Sequence, residues 1–293
     1  MKPILDLHMH SNNSLDGDYD IETLVDLCDK AGLKYVSLAD HNSIAGVQEM
    51  MRVGKSKGIT VIPAIEIDCA YKDTNLHILG YNIDIENPRF NQLGVDLLNQ
   101  ERDGSKERIR LVEALGIYVN HDKIEELQID GIVTGEMIAE AAFDEPENKG
   151  LEILKPFMPG GSLADNPYVN FYWAYCAQGK PAYIPIEIPT LDSIISLIHE
   201  TGGTAVFAHP GHNIKDDPQL LNEIMTSGLD GIEAYSSYHS NEQIKFYEDY
   251  ALEHNKLITC GSDFHGKIKP AIELGKIIFP EDYFNKVVDR LVK

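Results

Sequence analysis

Residues 3–10, PILDLHMH, are a short apolar run that reads as a strand and ends in two histidines, His8 and His10. Other strand-like runs along the chain end in similar clusters. Their metal-binding side chains are Asp40, His41, Glu66, His77, His209, Glu233, Asp263 and His265. If each cluster lies at the carboxyl end of a strand in one barrel, all of them converge on a single pocket. The pattern therefore predicts a multinuclear metalloenzyme.

The composition limits the classes of protein to which the chain can belong. Its 293 residues are 43% hydrophobic and 25% charged, as in a globular protein with a core. The formal net charge of −22 argues against bulk nucleic-acid binding, which needs Lys and Arg to displace counterions. The four cysteines form no Cys-x-x-Cys pair, which favours reduced thiols. There is no signal-peptide pattern and no apolar run of about 18 residues, so we expect a cytoplasmic protein without a membrane segment.

Strand and helix patterns alternate at both ends of the chain. The expected strands are residues 4–7, 35–39, 59–64, 76–81, 204–208, 231–235, 257–260 and 275–279. The expected helices between and after them are residues 20–32, 43–57, 190–201, 218–227, 240–254 and 281–292. Asp20 is the expected N-cap of the first helix, and Gly32 its stop. Short strands alternating with helices predict parallel pairing, and about seven such strands predict an α/β barrel.

Residues 91–188 interrupt this alternation. Residues 91–115 read as one long charged helix and residues 134–143 as another, and five prolines follow between residues 145 and 183. We therefore expect a discontinuous barrel of residues 1–90 and 189–293. Residues 91–188 would form a helical insertion that covers the site as a lid.

The spacing of the histidines suits metal binding. His8 and His10 are two residues apart, so on a strand their side chains point to the same side, and Asp263 and His265 repeat this spacing. Imidazoles and carboxylates without thiolates suit Zn²⁺, Mn²⁺ or Fe²⁺. A carboxylate such as Glu66 can bridge two ions, which a histidine cannot.

Four motifs resemble those of the polymerase and histidinol phosphatase (PHP) family. They are DLHMHS at residues 6–11, LADHN at 38–42, HPG at 209–211 and GSDFHG at 261–266, and Glu66 and His77 also match. GKPAYIP at 179–185 and GIEAYSSYH at 231–239 are similar to the small-molecule and nucleotide phosphoesterase branch of that family. The resemblance implies a distorted (β/α)7 barrel that holds two to three divalent ions of Mn, Fe or Zn.

The resemblance also implies a ligand for each metal. The first ion would take His8, His10, Glu66 and Asp263. The second would share Glu66 and add His77 and His209. The third would take Asp16, His41 and His265, where Asp16 replaces a histidine found in some relatives.

Two cations about 3.5–4 Å apart acidify a bridging water toward hydroxide. Attack of this hydroxide on phosphorus would cleave the ester, with His239 as the candidate general acid. We expect Asp40 to assist by orienting His41 or a water, and Glu233 to act behind the ligands or in the substrate pocket. The remaining expected substrate-binding residues are Arg102, Lys106, Arg108, Lys180, Tyr183 and His212.

The leading hypothesis is a phosphoesterase for a small phosphorylated metabolite, such as a nucleotide, a sugar phosphate or a cyclic phosphodiester. A histidinol-phosphate phosphatase is an alternative that the insertion does not favour. Metal-dependent C–N hydrolysis is a second class, and it predicts a lysine or carboxylate bridge between ions and a lone base near the attacked carbon. A non-catalytic metal-stabilised module is a third, which the complete set of nine ligands disfavours. The sequence does not predict the oligomeric state.

Overall fold

The structure is a computed structural model that describes residues 4–292. The chain divides into two compact units. The first unit consists of the chain up to Gln92, Ile188–Phe264 and the residues from Ile272 on. The second consists of Leu93–Glu187 and His265–Ala271. The sequence did not predict that the short segment after Phe264 would cluster with the second unit, and the expected lid role of the insertion stays a prediction.

All the strands within residues 4–292 belong to the first unit. They are β1 (Leu5–Met9), β2 (Tyr35–Leu38), β3 (Thr60–Val61), β4 (Ala64–Tyr71), β5 (Thr74–Tyr81), β6 (Thr204–Phe207), β7 (Gly231–Ser236) and β8 (Leu257–Gly261). The strands β1, β2 and β3 form a parallel sheet in that order. The other sheet has the order β4-β5-β6-β7-β8, in which β4, β5 and β6 pair antiparallel and β6, β7 and β8 pair parallel.

A closed seven-stranded barrel is not confirmed, because the described strands form two sheets rather than one ring. Only isolated bridges connect the sheets, between Met9 and Phe264 and between His41 and Glu66. The fold is therefore a mixed α/β arrangement whose two sheets meet near the carboxyl ends of β1 and β2. The strand expected at residues 275–279 is also absent from the described chain, and its first residue, Gly275, has a φ of 66°, which strands do not use.

The expectation of purely parallel pairing is wrong at β4 and β5. These strands form an antiparallel hairpin in which Glu66 pairs with Leu79 and Asp68 with His77. Only residues 72 and 73 connect them, and Lys72 adopts a φ of 54°. A connection of two residues can join only antiparallel neighbours, because a parallel pair needs a long crossover. The strand expected at residues 59–64 is shorter in the structure, where it is β3, and a separate strand, β4, begins at Ala64 and continues past Glu66.

Helices fill the chain between the strands. They are α1 (Ile21–Ala31), α2 (Val47–Ser56), α3 (Pro88–Glu113), α4 (His121–Leu127), α5 (Gly135–Ala142), α6 (Pro167–Phe171), α7 (Leu191–Glu200), α8 (Pro210–Ile214), α9 (Pro218–Thr226), α10 (Asn241–Glu253) and α11 (Glu281–Leu291). No helix within residues 4–292 is both long and apolar enough to cross a membrane.

The predicted caps of α1 are confirmed. The side chain of Asp20 accepts a hydrogen bond from the backbone N–H of Thr23, and Gly32 ends the helix with a φ of 84°. Ser240 caps α10 in the same way, in a capping box with Gln243. These polar caps fix the helix ends that flank the strands, so the strand ends are fixed as well.

Each unit has its own apolar core. In the first unit, buried side chains from β1, β4, β5, β6, β8 and α11 form one cluster, which includes Leu7, Leu79 and Val206. In the second unit, the helices α3 to α6 and the π-helix Tyr172–Cys176 surround a cluster that includes Phe157 and Phe171. All four cysteines are buried and free of disulfides.

Candidate metal centre

Glu66 on β4 lies in the middle of a group of imidazoles and is fully buried. Its Oε2 atom lies 3.0 Å from Nε2 of His8, 3.3 Å from Nε2 of His10 and 3.4 Å from Nδ1 of His41. One carboxylate oxygen therefore faces three histidines that come from the ends of β1 and β2.

The other oxygen of Glu66 faces a different pair of histidines. Its Oε1 atom lies 3.0 Å from Nδ1 of His77 on β5 and 3.0 Å from Nε2 of His209, which follows β6. The two oxygens of one carboxylate thus face different histidines, and ligand atoms of His41, Glu66 and His77 also lie within 4.8 Å of one another. This is the arrangement that a carboxylate shared by two ions requires.

Asp263, which follows β8, joins the group on the side of His8 and His10. Its Oδ1 atom lies 2.9 Å from Nε2 of His10 and 3.3 Å from Nε2 of His8. The four residues His8, His10, Glu66 and Asp263 each offer a ligand atom within 4.8 Å of the others, and all four are buried. The ligand set inferred for the first metal is thus brought together in the first unit.

Two of the predicted metal ligands have strained backbone conformations. His209 has a φ of 25° and Asp263 a φ of 58°, both in a region that residues other than glycine rarely use. Such conformations cost on the order of 1–3 kcal/mol each and persist where the surrounding structure imposes them. Gly261, at the end of β8, allows β8 to lie close to β1, because a Cβ atom at Gly261 would lie 2.1 Å from Cβ of His8.

Outer hydrogen bonds orient the ligand nitrogens. Nδ1 of His8 lies 3.1 Å from Oε1 of Glu233, and Nδ1 of His209 lies 3.1 Å from Oδ1 of Asn213. In each ring the outer oxygen accepts a hydrogen bond from Nδ1–H, which leaves Nε2, the nitrogen that faces Glu66, as the one that would coordinate an ion. Metal-binding histidines are commonly oriented in this way. The donor set therefore fits divalent ions.

Of the three residues inferred for a third ion, Asp16 and His41 lie in the first unit, beside His10. Ligand atoms of His10, Asp16 and His41 lie within 4.8 Å of one another, and Nε2 of His41 lies 3.8 Å from Oδ2 of Asp16. His265 is buried and begins the segment that clusters with the second unit. Its role as a ligand stays a prediction.

Asp68 belongs to the site and was not predicted from the sequence. Its Oδ1 atom lies 3.3 Å from Nε2 of His77 and 3.6 Å from Nδ1 of His41, and its Oδ2 atom accepts from the amide of Asn42 at 2.7 Å. Burial would raise the pKa of this carboxyl, but the neighbouring histidines hold it below its usual range. Its position two residues after Glu66 on one strand face was the available signal.

The carboxylates of this site shift the pKa values of the neighbouring histidines. Burial would lower the pKa of His8, but the carboxylates of Glu66, Glu233 and Asp263 hold it well above its usual range. In the same way, despite burial, Glu66 and Asp16 raise the pKa of His41 to about 10. Protons therefore occupy imidazoles that a cation would otherwise contact.

Glu233 and Asp40 contact protein groups around the centre. The second oxygen of Glu233 accepts from the backbone N–H of His209 at 2.9 Å, so both of its oxygens hold residues of the site. Asp40 accepts from the backbone N–H and the hydroxyl of Ser11 at 2.6 and 2.7 Å. Burial raises the pKa of Asp40 to about 6. Both carboxylates therefore fix the loops that carry the histidines.

The hydrogen bonds of His239 argue against the expected role of general acid. Its Nδ1 donates to the carbonyl of Ala234 at 2.8 Å, and its Nε2 accepts from the backbone N–H of Gly211 at 3.1 Å. The ring is therefore neutral, with its proton directed at a carbonyl, and burial lowers its pKa. In this position His239 holds the turn that carries His209.

His212 and Tyr238 lie beside His209. The ring centroid of His212 is 5.9 Å from that of His209 and 5.3 Å from that of Tyr238. The Tyr238 hydroxyl donates to Oδ2 of Asp263 at 2.5 Å. Substrate binding by His212 stays a prediction, and Tyr238 is a further residue that the ligand motifs did not indicate.

The other expected substrate-binding residues lie in the second unit. Arg108 is buried, and its guanidinium donates to the carbonyl of Val133 and to Glu101, both at 2.7 Å. Arg102 is exposed and donates to the carbonyl of Asp130 at 2.6 Å. Lys106 and Lys180 are exposed and Tyr183 is half-buried. Substrate binding stays a prediction for all of these residues, and the internal bonds of Arg108 give it a role in its own unit.

The chain is similar in sequence to proteins that act on phosphate esters. The chain is 30% identical over 274 residues to a 5'-3' exoribonuclease of Haemophilus influenzae, covering 92% of this chain and 93% of the relative. It is 27% identical over 265 residues to a 3',5'-nucleoside bisphosphate phosphatase of Chromobacterium violaceum, covering 89% and 87%.

A solved structure described as an amidohydrolase from Chromobacterium violaceum has the same fold. It superposes with a TM-score of 0.78 at 22% identity, covering 99% of this chain and 98% of the other. The sequence pattern of the PHP domain matches residues 6–184, which include six of the nine predicted metal ligands. With Glu66 set between two groups of histidines and relatives that cleave phosphoric esters, the chain belongs to the PHP domain family and is a phosphoric ester hydrolase.

Proposed function

We propose that this chain is a metal-dependent phosphoesterase that hydrolyses a phosphate ester of a nucleotide. The single observation that supports it best is the buried Glu66, whose two oxygens each face two of the histidines His8, His10, His77 and His209. A shared carboxylate between two groups of neutral donors suits two neighbouring divalent ions. Phosphoryl transfer gains most from such a pair.

The ions would be held by residues of the first unit. His8, His10 and Asp263 would hold one, His77 and His209 the other, and Glu66 both. Bound there, they would supply Lewis acidity for the phosphoryl oxygens and acidify a water. The chain's own residues orient this set, since Glu233 and Asn213 fix the rings of His8 and His209 through their Nδ1 atoms. Asp16, His41 and His265 would hold a third ion.

The relatives support a nucleotide as the substrate. Two of them are a 5'-3' exoribonuclease and a 3',5'-nucleoside bisphosphate phosphatase, and RNA and nucleoside bisphosphates share a phosphate ester on a nucleoside. The net charge of −22 disfavours a long electrostatic contact with RNA. We therefore propose that the site takes a single nucleotide unit, either free or at the end of a strand, and that the second unit supplies substrate contacts.

The experiment is a hydrolysis screen with Mn²⁺-loaded protein. Phosphate release would be measured from a nucleoside 3',5'-bisphosphate and a sugar phosphate, ring opening to the nucleoside monophosphate from a cyclic nucleotide, and nucleotide release from a 5'-phosphorylated oligoribonucleotide. We expect the bisphosphate to have the highest kcat/KM and the variant Glu66→Gln to be inactive on every substrate. Equal or greater turnover of the sugar phosphate would contradict the nucleotide assignment.

Metal-dependent C–N hydrolysis is the competing function. A shared carboxylate such as Glu66 fits that chemistry as well, and the structure described as an amidohydrolase shares only the fold. The same screen with amide substrates separates the two. Hydrolysis of amides with no release of phosphate from any ester would exclude the phosphoesterase.

A further inference from the structure

The loops after β7 and β8 continue the pairing of these two strands. Ser236 pairs with Gly261 at the end of the ladder. One residue further, the hydroxyl of Ser237 donates to the carbonyl of Ser262 at 2.6 Å. One residue further again, the hydroxyl of Tyr238 donates to Oδ2 of Asp263 at 2.5 Å. Three consecutive positions thus face each other across the two loops.

The aromatic ring of Tyr238 packs against two histidine rings. Its centroid lies 5.7 Å from that of His209, nearly perpendicular to it, and 5.3 Å from that of His212. The ring is therefore located by two contacts that do not involve its hydroxyl. Removing the hydroxyl alone should leave the ring in place.

The two oxygens of Asp263 have different surroundings. Oδ1 lies 2.9 Å from Nε2 of His10 and 3.3 Å from Nε2 of His8, whereas Oδ2 accepts from Tyr238. The backbone of Asp263 is itself in the left-handed region, with a φ of 58°. A carboxylate on a strained residue needs such an outer contact to keep one orientation.

We propose that Tyr238 is a positioning residue of the metal centre, which holds Oδ2 of Asp263 so that only Oδ1 is presented with His8 and His10. The hydroxyl does not itself bind the ion or the substrate. By occupying Oδ2 it keeps Asp263 a ligand through one oxygen. Loss of an outer hydrogen bond of this kind typically weakens metal binding by about 10–100-fold.

The test is the variant Tyr238→Phe, which removes only the hydroxyl. Competition with a chromophoric chelator would measure the affinity for Co²⁺ and Mn²⁺, and the visible spectrum of the Co²⁺-loaded protein would report the number of coordinating atoms. We expect about 10-fold weaker binding. We also expect weaker visible absorption, because a released Oδ2 adds a second oxygen and raises the coordination number.

Tyr283→Phe is the matched control. The hydroxyl of Tyr283 donates to Glu248, so the control removes the same kind of tyrosine–carboxylate bond at a distance from the ligands. It should change neither the affinity nor the spectrum. Far-UV circular dichroism would verify that both variants are folded.

A double variant tests independently whether Tyr238 acts through Asp263. In a chain that carries Asp263→Asn, adding Tyr238→Phe should weaken Co²⁺ binding little further, because the tyrosine acts through that carboxylate. An unchanged affinity and spectrum in Tyr238→Phe, or fully additive losses in the double variant, would overturn the proposal. The inference rests on the proposed metal centre, but these measurements use no substrate, so they fail or succeed independently of the reaction proposed above.

Discussion

Nδ1 of His8 lies 3.1 Å from Oε1 of Glu233, and both side chains are completely buried. The proton between them must stay on Nδ1, so Nε2 is available toward Glu66. We expect Glu233→Gln to weaken metal binding by about 10–100-fold, since the neutral amide stabilises that tautomer less. Competition with a chromophoric chelator would measure the affinity, with Glu223→Gln, a change at a half-buried glutamate on α9 that pairs with Lys72, as control. Unchanged affinity would mean that the carboxylate does not orient His8.

We expect kinetic experiments to show that His239 has a structural role and is not the general acid. The variant His239→Gln loses the bond from Gly211 and should lower the turnover of aryl phosphates with good and poor leaving groups by the same factor. A general acid would instead matter mainly for the poor leaving group, because only that group needs a proton as the bond breaks. A selective loss on the poor leaving group would restore the role expected from the sequence.

The buried Asp6 makes stability depend on pH. Burial raises its pKa from 3.8 to about 6, although it accepts the backbone N–H of Ser262 at 2.9 Å. The folded state therefore binds a proton more tightly than the unfolded state. Its contribution to the free energy of unfolding is most favourable below pH 4 and decreases, by about 3 kcal/mol, as the pH rises through 6.

Asp6→Asn isolates this contribution. Urea denaturation of the metal-free protein at several pH values should show the wild type gaining stability relative to the variant as the pH falls from 7 to 4. Other titrating groups are common to both proteins and cancel in the difference. A difference that is constant with pH would refute the shifted carboxyl.

Arg108 and Lys106 lie in the same helix but should behave differently. Arg108→Met leaves the carbonyl of Val133 and the carboxylate of Glu101 without their donor, so it should lower the free energy of unfolding by on the order of 2 kcal/mol. Lys106 is exposed, and Lys106→Met should change stability by less than about 0.5 kcal/mol. Thermal denaturation would compare them. A higher KM for Arg108→Met without loss of stability would instead support substrate binding.

The sequence was informative wherever a local pattern determines the structure. Asp20 and Gly32 mark the ends of α1 because capping depends on neighbouring residues. His8 and His10 could be assigned to one side of β1 because side chains alternate along a strand. The gathering of six predicted ligands around Glu66 follows from such strand ends.

Long-range pairing could not be predicted in the same way. The run after Glu66 contains Asp68, and the polar residues 72 and 73 follow, so it reads as a loop rather than as one arm of a hairpin. Which strand pairs with which depends on contacts between distant segments. Asp68 was missed for this reason, since only the pairing with His77 shows that it faces the site.

The role of His239 could not be predicted either. A histidine after a strand end is an equally good candidate for proton transfer and for a structural bond. Only the carbonyl of Ala234 on one nitrogen and the N–H of Gly211 on the other separate the two cases. Such partners depend on the backbone of two loops, which residue types do not encode.

The irregularity in β7 has a consequence for protein engineering. Glu233 pairs with Thr259 and Tyr235 with Cys260, so Ala234 is an additional residue with no counterpart on β8. Deleting Ala234 would make the ladder regular and leave Tyr238 opposite Asp263, whereas inserting one residue between Tyr235 and Tyr238 would make Tyr238 face Phe264 instead. The length of this short segment therefore matters more than the identity of the residue inserted.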